Sequence, residues 1–206
     1  MVVDGVLRYY SPLLLVAGED NSVRRSTNNL SLSPQGMPTG LKASSSTVAI
    51  GFSVPESAAN TFTQGSVDLN LSPLDREVFV VLAINIDPES PDAVAATNTA
   101  VNCSLTTTSQ TTVANLSNSN CLAVANERIR AKGFVDGGVG FTTQSLETPP
   151  ATLEYIGIIA TNDFFVQVEG LQNTLQKGCS GKLYGYRAIA SADIYAALVQ
   201  SEVLSA

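Results

Sequence analysis

Residues 77–87 read EVFVVLAINID: Glu77, then Val78, Phe79, Val80, Val81, Leu82 and Ala83 without a polar break, then Ile84 and Ile86 alternating with Asn85 and Asp87. An apolar run of this length is a strand covered on both faces, and the alternation after it is a strand with one face in solvent. Such a strand lies in the middle of a sheet, so other strands must flank and cover it.

The neighbouring segments supply them. In residues 47–54, Val48, Ile50, Phe52 and Val54 alternate with Thr47, Ala49, Gly51 and Ser53, and residues 67–71 alternate around Asp68 and Asn70. Val101, Cys103 and Leu105 alternate with Asn102, Ser104 and Thr106 in residues 100–107. Later come residues 153–161 and 163–169, which the period-two pattern reads as two strands meeting in a tight turn at Asn162-Asp163. Residues 181–189 follow, with Tyr184, Tyr186 and Ala188 on one face and Leu183, Gly185 and Arg187 on the other. At the start, residues 6–10 and 13–17 are separated by Ser11-Pro12, two strands or one broken edge strand. The expectation is a mainly β chain: an antiparallel two-sheet sandwich of jelly-roll type, with eight or nine strands in one domain over residues 1–206.

Two segments carry helical spacing. Residues 191–202 place Ser191 as a cap, Asp193 in the first turn and Ile194, Tyr195, Leu198 and Val199 as an apolar stripe, which predicts a short C-terminal helix packed on the core. Residues 118–132 set Leu122, Ala125 and Ile129 at similar spacing, which admits a second, mid-chain helix. Residues 26–46, 87–96 and 132–150 are read as long loops, of the kind that is functional or touches a neighbour.

Composition narrows the function. Of 206 residues, 22 are Ser, 18 Thr and 14 Asn, with 44% hydrophobic and only 14% charged, so the chain can build a core and suits strands and neutral surfaces. It has no His and no Trp, which removes Ser-His and Cys-His nucleophilic pairs and the commonest transition-metal ligand. No lysine follows a serine at Ser-x-x-Lys spacing, and residues 133–140 lack the strand-and-helix context of a phosphate loop. Glu77, Glu154, Asp163 and Glu169 could furnish a glycosidase pair, but no Trp is present to stack a sugar, and no enzyme is expected. Asp87, Glu89 and Asp92 could gather oxygen ligands for calcium, though their spacing fits a solvated acidic turn better. Cys103, Cys121 and Cys179 show no metal-binding spacing; they read as buried free thiols, or as one disulfide and one free thiol. No catalytic, cofactor-binding or metal-binding residue is assigned.

The net charge is −7, and the densest cations are Arg24-Arg25 and the trio Arg128, Arg130 and Lys132, too few for a strong grip on nucleic acid. No apolar run is long enough for a transmembrane helix, and Asp4 with Arg8-Tyr9-Tyr10 breaks a signal-peptide pattern. The sequons at Asn29, Asn70, Asn102 and Asn115 are read as unmodified.

On the strand series 47–54, 67–71, 77–87, 100–107, 153–161, 163–169 and 181–189, the chain resembles in architecture the single jelly-roll capsid proteins of icosahedral viruses. That resemblance implies a virion protein that assembles with copies of itself and with other virion proteins. Members often begin with a basic arm that holds the genome. Here the start is Met1-Val2-Val3-Asp4-Gly5, which implies no direct contact with nucleic acid and suits a genome held behind a membrane or another protein layer. The three long loops are then expected at subunit or exterior contacts. The competing reading is a receptor- or carbohydrate-binding β-sandwich module, recognised by a discrete groove with Tyr and Asn side chains.

Overall fold

The computed structural model describes residues 37–133, 141–145 and 153–204, all of them in one unit of chain, Ser33–Ala206. Ten strands and one helix follow in order: β1 (Leu41–Ala43), β2 (Val48–Pro55), β3 (Thr63–Asp68), β4 (Glu77–Pro88), β5 (Thr99–Thr106), β6 (Cys121–Arg130), β7 (Phe141–Ser145), β8 (Gly157–Ile159), β9 (Asp163–Leu171), β10 (Gly178–Ala190) and α1 (Ala192–Leu204). The strands expected over residues 6–10 and 13–17, like Arg24-Arg25, lie outside the described residues.

Pairing decides the topology. β2 pairs β10, β3 pairs β9, β4 pairs β8 and β5 pairs β6, all antiparallel. Each partnership is nested inside the one before, as when a long hairpin is rolled into two layers. Two further pairings, β4 with β10 and β5 with β9, knit the layers into sheets ordered β2-β10-β4-β8 and β3-β9-β5-β6. This is the jelly-roll order, the two-sheet solution for eight antiparallel strands. The short β1 extends the first sheet beside β10, and β7 extends the second beside β6. Both come from segments expected to be loops, residues 26–46 and 132–150, because three- and five-residue edge strands carry too little alternation to register.

β4 behaves as its sequence requires. Val78, Phe79, Val80 and Val81 are all within 1% of full burial. Phe79 and Val81 enter the core between the sheets with Phe52, Leu105, Phe164 and Leu183, while Val78 and Val80 face outward into a second cluster with Leu41, Ala188 and Ala190. The Phe52 and Phe164 rings meet edge to face across the layers, centroids 6.0 Å apart at 76°. The outer cluster is covered by α1 through Ile194, Tyr195, Leu198 and Val199, the stripe expected to pack on the core. The register between β4 and β10 steps at Tyr184/Gly185, leaving Leu82 as an extra residue. That bulge turns Leu82 outward and brings Ile84 and Ile86 to the inner core, so the continuous run in the sequence gives way to alternation there.

Three expectations are corrected. Residues 118–132 form no helix: the stretch is β6, and the register skips Leu122 between Leu105 paired with Ala123 and Thr106 paired with Cys121. The bulge adds a residue between inward positions and so produces the three-then-four spacing that imitates a helix. Of residues 153–161, only Gly157–Ile159 is strand. Asn162 and Asp163 close no hairpin, since β8 pairs in one sheet and β9 in the other. Asn162 instead ties the crossover to the β3–β4 segment: its carbonyl accepts from Leu69 N at 2.7 Å, its Oδ1 from Leu71 N at 2.7 Å, and its Nδ2 donates to Asp68 at 2.7 Å.

Cys103 and Cys179 are buried between the sheets and Cys121 is half-buried, and none of the three is in a disulfide among the described residues. The neighbouring Cys179 thiol together with burial pushes the Cys103 thiol far above its ordinary range. Cys103 therefore lacks the thiolate character that reactivity needs.

A buried carboxylate anchors α1. Glu202 is 7% exposed, and its two oxygens accept from the backbone N–H of Ala160 and of Thr161, each at 3.0 Å. Burial raises its pKa above the ordinary 4.5, outweighing the two amide bonds that lower it. A raised carboxyl contributes stability that is complete below 4.5 and is lost as pH rises through the folded-state value. In urea unfolding from pH 4 to 7, the stability of the protein relative to Glu202→Gln is therefore expected to fall as pH rises; a difference that grows with pH would contradict this account of the anchor.

Candidate interaction surface

The loops β2–β3, β4–β5 and β9–β10 meet at one end of the sandwich, and two carboxylates tie them together. Glu56 Oε1 accepts from Gly170 N at 2.5 Å and Thr61 N at 3.2 Å, and its Oε2 from Lys177 N at 2.9 Å. Asp92 Oδ2 accepts from the Thr174 hydroxyl at 2.6 Å and from the N–H groups of Thr174 and Leu175 at 2.8 and 3.0 Å. Its Oδ1 takes the Lys177 ammonium at 2.5 Å, while its own backbone receives the Thr99 hydroxyl and donates to Asn173. Asn173 completes the knot, bonded to Asn60 through its backbone N–H and carbonyl and donating from Nδ2 to Ala100 O. With Lys177 and three further donors on one carboxylate, the Asp92 carboxyl is held well below its ordinary 3.8.

On this held frame sit exposed leucines. Leu171 is 53% and Leu175 66% exposed, although Leu175 is fixed through its backbone to Asp92. Beside Leu171 lies a cavity of about 240 Å³ lined also by Asn98, Asn102, Arg128 and Arg130. Arg128 and Arg130 project from the outer face of β6, with Lys132 just past its end; all three are exposed and carry no ion pair among the described residues. The opposite end of the sandwich is acidic. Asp68 and Asp163 stand directly across from each other on β3 and β9, with Asp75, Glu77 and Asp193 nearby, against Lys42 and Arg76; Arg187 is turned inward to Leu69 O. Leu74, 96% exposed, stands next to Asp75 in the turn before β4.

The other residues singled out in the sequence do not converge. Among the described residues no group of three His, Cys, Asp or Glu side chains could hold a metal ion, and Asp92 is already engaged away from Asp87 and Glu89. Glu77 belongs to one sheet and accepts from Ser44 and Ser72. Asp163 and Glu169 stand at opposite ends of β9 in the other sheet, six residues or roughly 20 Å apart, far beyond the reach of paired carboxylates. Of the loops expected at contacts, 87–96 lies in the knotted end; 26–36, 134–140 and 146–150 fall outside the described residues. Sequence reasoning missed Glu56, Asn173 and Lys177, whose only signal was a charged or amide side chain inside a loop. No described helix is long and apolar enough to cross a membrane.

No family model and no curated protein matches the chain. Among solved structures, a chain of Desmodium yellow mottle tymovirus aligns over 93% of this chain and 99% of its own, at 12% identity and a TM-score of 0.28. A superposition that loose says nothing of function, and the topology rests on the strand pairing itself.

Proposed function

We propose that this protein is a structural coat subunit, which assembles with copies of itself into a viral capsid or surface lattice and resides in the virion. The observation that carries the reading is the tied loop end, where exposed Leu175 is fixed through its backbone and exposed Leu171 lies beside Arg128 and Arg130, which have no ion pair among the described residues, while the far end offers exposed Leu74 next to Asp75. Apolar contacts ringed by complementary charge are the anatomy of a specific interface. Two different patches that fit each other make a head-to-tail contact, which closes into rings and shells when the rotation permits. Loops fixed before association forfeit little entropy on docking. Catalysis has no part in this reading, nor does direct binding of nucleic acid; other virion proteins are further partners.

The test is the double variant Leu171→Asp/Leu175→Asp. Each leucine removed from a buried contact loses roughly 1.5–3 kcal/mol, so the concentration needed for assembly is expected to rise by more than about tenfold. Circular dichroism should remain that of the parent, because neither side chain enters the core. Unchanged assembly in a folded double variant would refute the placement of the contact.

A further inference from the structure

α1 covers only part of the outer face of the first sheet. Beyond it, Ser53, Asn85, Asp87, Ser180 and Lys182 are exposed, and the side chains fall into rows by strand register. Ser53, Ser180 and Asp87 form one row; Lys182 stands in the next between Gly51 and Asn85; Tyr184 stands in the third between Ala49 and Ala83. Strands lie about 4.8 Å apart and successive rows about 6.8 Å apart. Together they line an open groove of about 670 Å³, within the size range of small-ligand sites.

Two features of this groove leave it open to a polar ligand. Among the described residues, none of the polar side chains of Ser53, Asn85, Asp87, Ser180, Lys182 and Tyr184 has a hydrogen-bond or ion-pair partner, although Lys182 and Asp87 occupy adjacent rows on adjacent strands. The loop end of the sandwich, by contrast, binds Glu56, Asp92, Asn173 and Lys177 to one another's loops. The large side chain at the head of the groove, Tyr184, is flanked by alanines, and Lys182 by a glycine on one side, so the sheet floor stays open beside them.

We infer that this groove binds a neutral saccharide. Hydroxyl, amide, carboxylate and ammonium groups within one small area supply donors and acceptors together, which a ring of hydroxyls satisfies from both sides. The Tyr184 ring offers an apolar face for the C–H side of the sugar, with a polar tip at its edge. Lys182 and Asp87 cancel, so a phosphate or sulfate that gained the ammonium would also meet the carboxylate. A protein partner would need an apolar centre, and the groove has Tyr184 and the largely buried Phe52 among polar and charged groups.

Saturation-transfer NMR of the full chain with a panel of neutral mono- and disaccharides, and with a sulfated polysaccharide as the charged arm, tests the assignment. Transfer from a neutral sugar is expected at millimolar concentration, weakened more than about tenfold in Tyr184→Ala and in Asn85→Ala. The Asn85 side chain is exposed and has no bond among the described residues, so its variant keeps the fold even if the tyrosine variant does not. Assembly is expected to proceed as in the parent in both variants, which keeps this result separate from the coat reading. Absence of transfer from every neutral sugar would overturn the inference. So would binding of the sulfated polymer alone, binding unchanged in both variants, or loss of assembly in Asn85→Ala, which would make the face a contact between copies.

Discussion

Gly185→Val is expected to remove a large share of the stability of the fold, while Gly51→Ala in the same sheet has almost no effect. Gly185 lies on β10 at the bulge, facing the inner core opposite Val81. A Cβ there would press into the Val80 carbonyl oxygen and the Phe79 ring, and neither can retreat: the carbonyl belongs to the central strand, and Phe79 is 1% exposed. Overpacking against backbone belongs to the costliest class of core substitution, about 4 kcal/mol or more, against a total stability of about 5–15 kcal/mol for a domain. A Cβ at Gly51 would meet only the Gly181 carbonyl oxygen, at 4.0 Å, so Ala should fall within about 0.5 kcal/mol of the parent. Thermal unfolding of the two soluble fractions checks the contrast. Equal midpoints would mean that β4 and β10 do not pack in the register described.

Asp92→Ala is expected to free the loop end without unfolding the sandwich. The substitution removes the acceptor for Thr174, Leu175 and Lys177 at once, and leaves the Lys177 ammonium, 10% exposed, without its partner. Residues 89–98 and 172–177 should then become sites of limited proteolysis, with cleavage rising by about tenfold or more while the strands stay protected. Self-association should fall with it, since the leucines would have to be ordered at the moment of docking. The pH dependence has a definite sign. A lowered carboxyl contributes stability that is present above its unfolded value of 3.8 and is lost as pH falls through the folded one, so the parent loops should stay resistant to an acid-active protease at pH values where ordinary aspartates protonate. Equal cleavage of parent and variant would remove the knot from the account.

The same chemistry explains what could be read in advance. Central strands were legible because burial on one or both faces writes itself into side-chain period: residues 47–54 became β2 with Phe52 and Val54 buried, and residues 77–87 became the doubly covered β4. The stripe of α1 was legible for the same reason. Bulges were not, because an extra residue shifts the period: at Leu122 it mimicked a helix, and at Leu82 it ended a run. Nor were the roles of Asn162, Glu56 or Asp92, whose bonds go to backbone groups 80 to 120 residues away in sequence, a distance over which no local pattern speaks. The sheet order followed only from those long-range pairings. The groove lay half in view: the competing reading asked for Tyr and Asn side chains, and register alone brings Tyr184 and Asn85 to adjacent rows.

Light scattering of the purified full chain across protein concentration and salt bears most directly on the proposal that this sandwich exists to touch copies of itself. The expected result is a rise from single chains to particles of many copies, with closed shells or ordered sheets by negative-stain microscopy. A mass that stays at one chain, 21.5 kDa, at every concentration and ionic strength would contradict it.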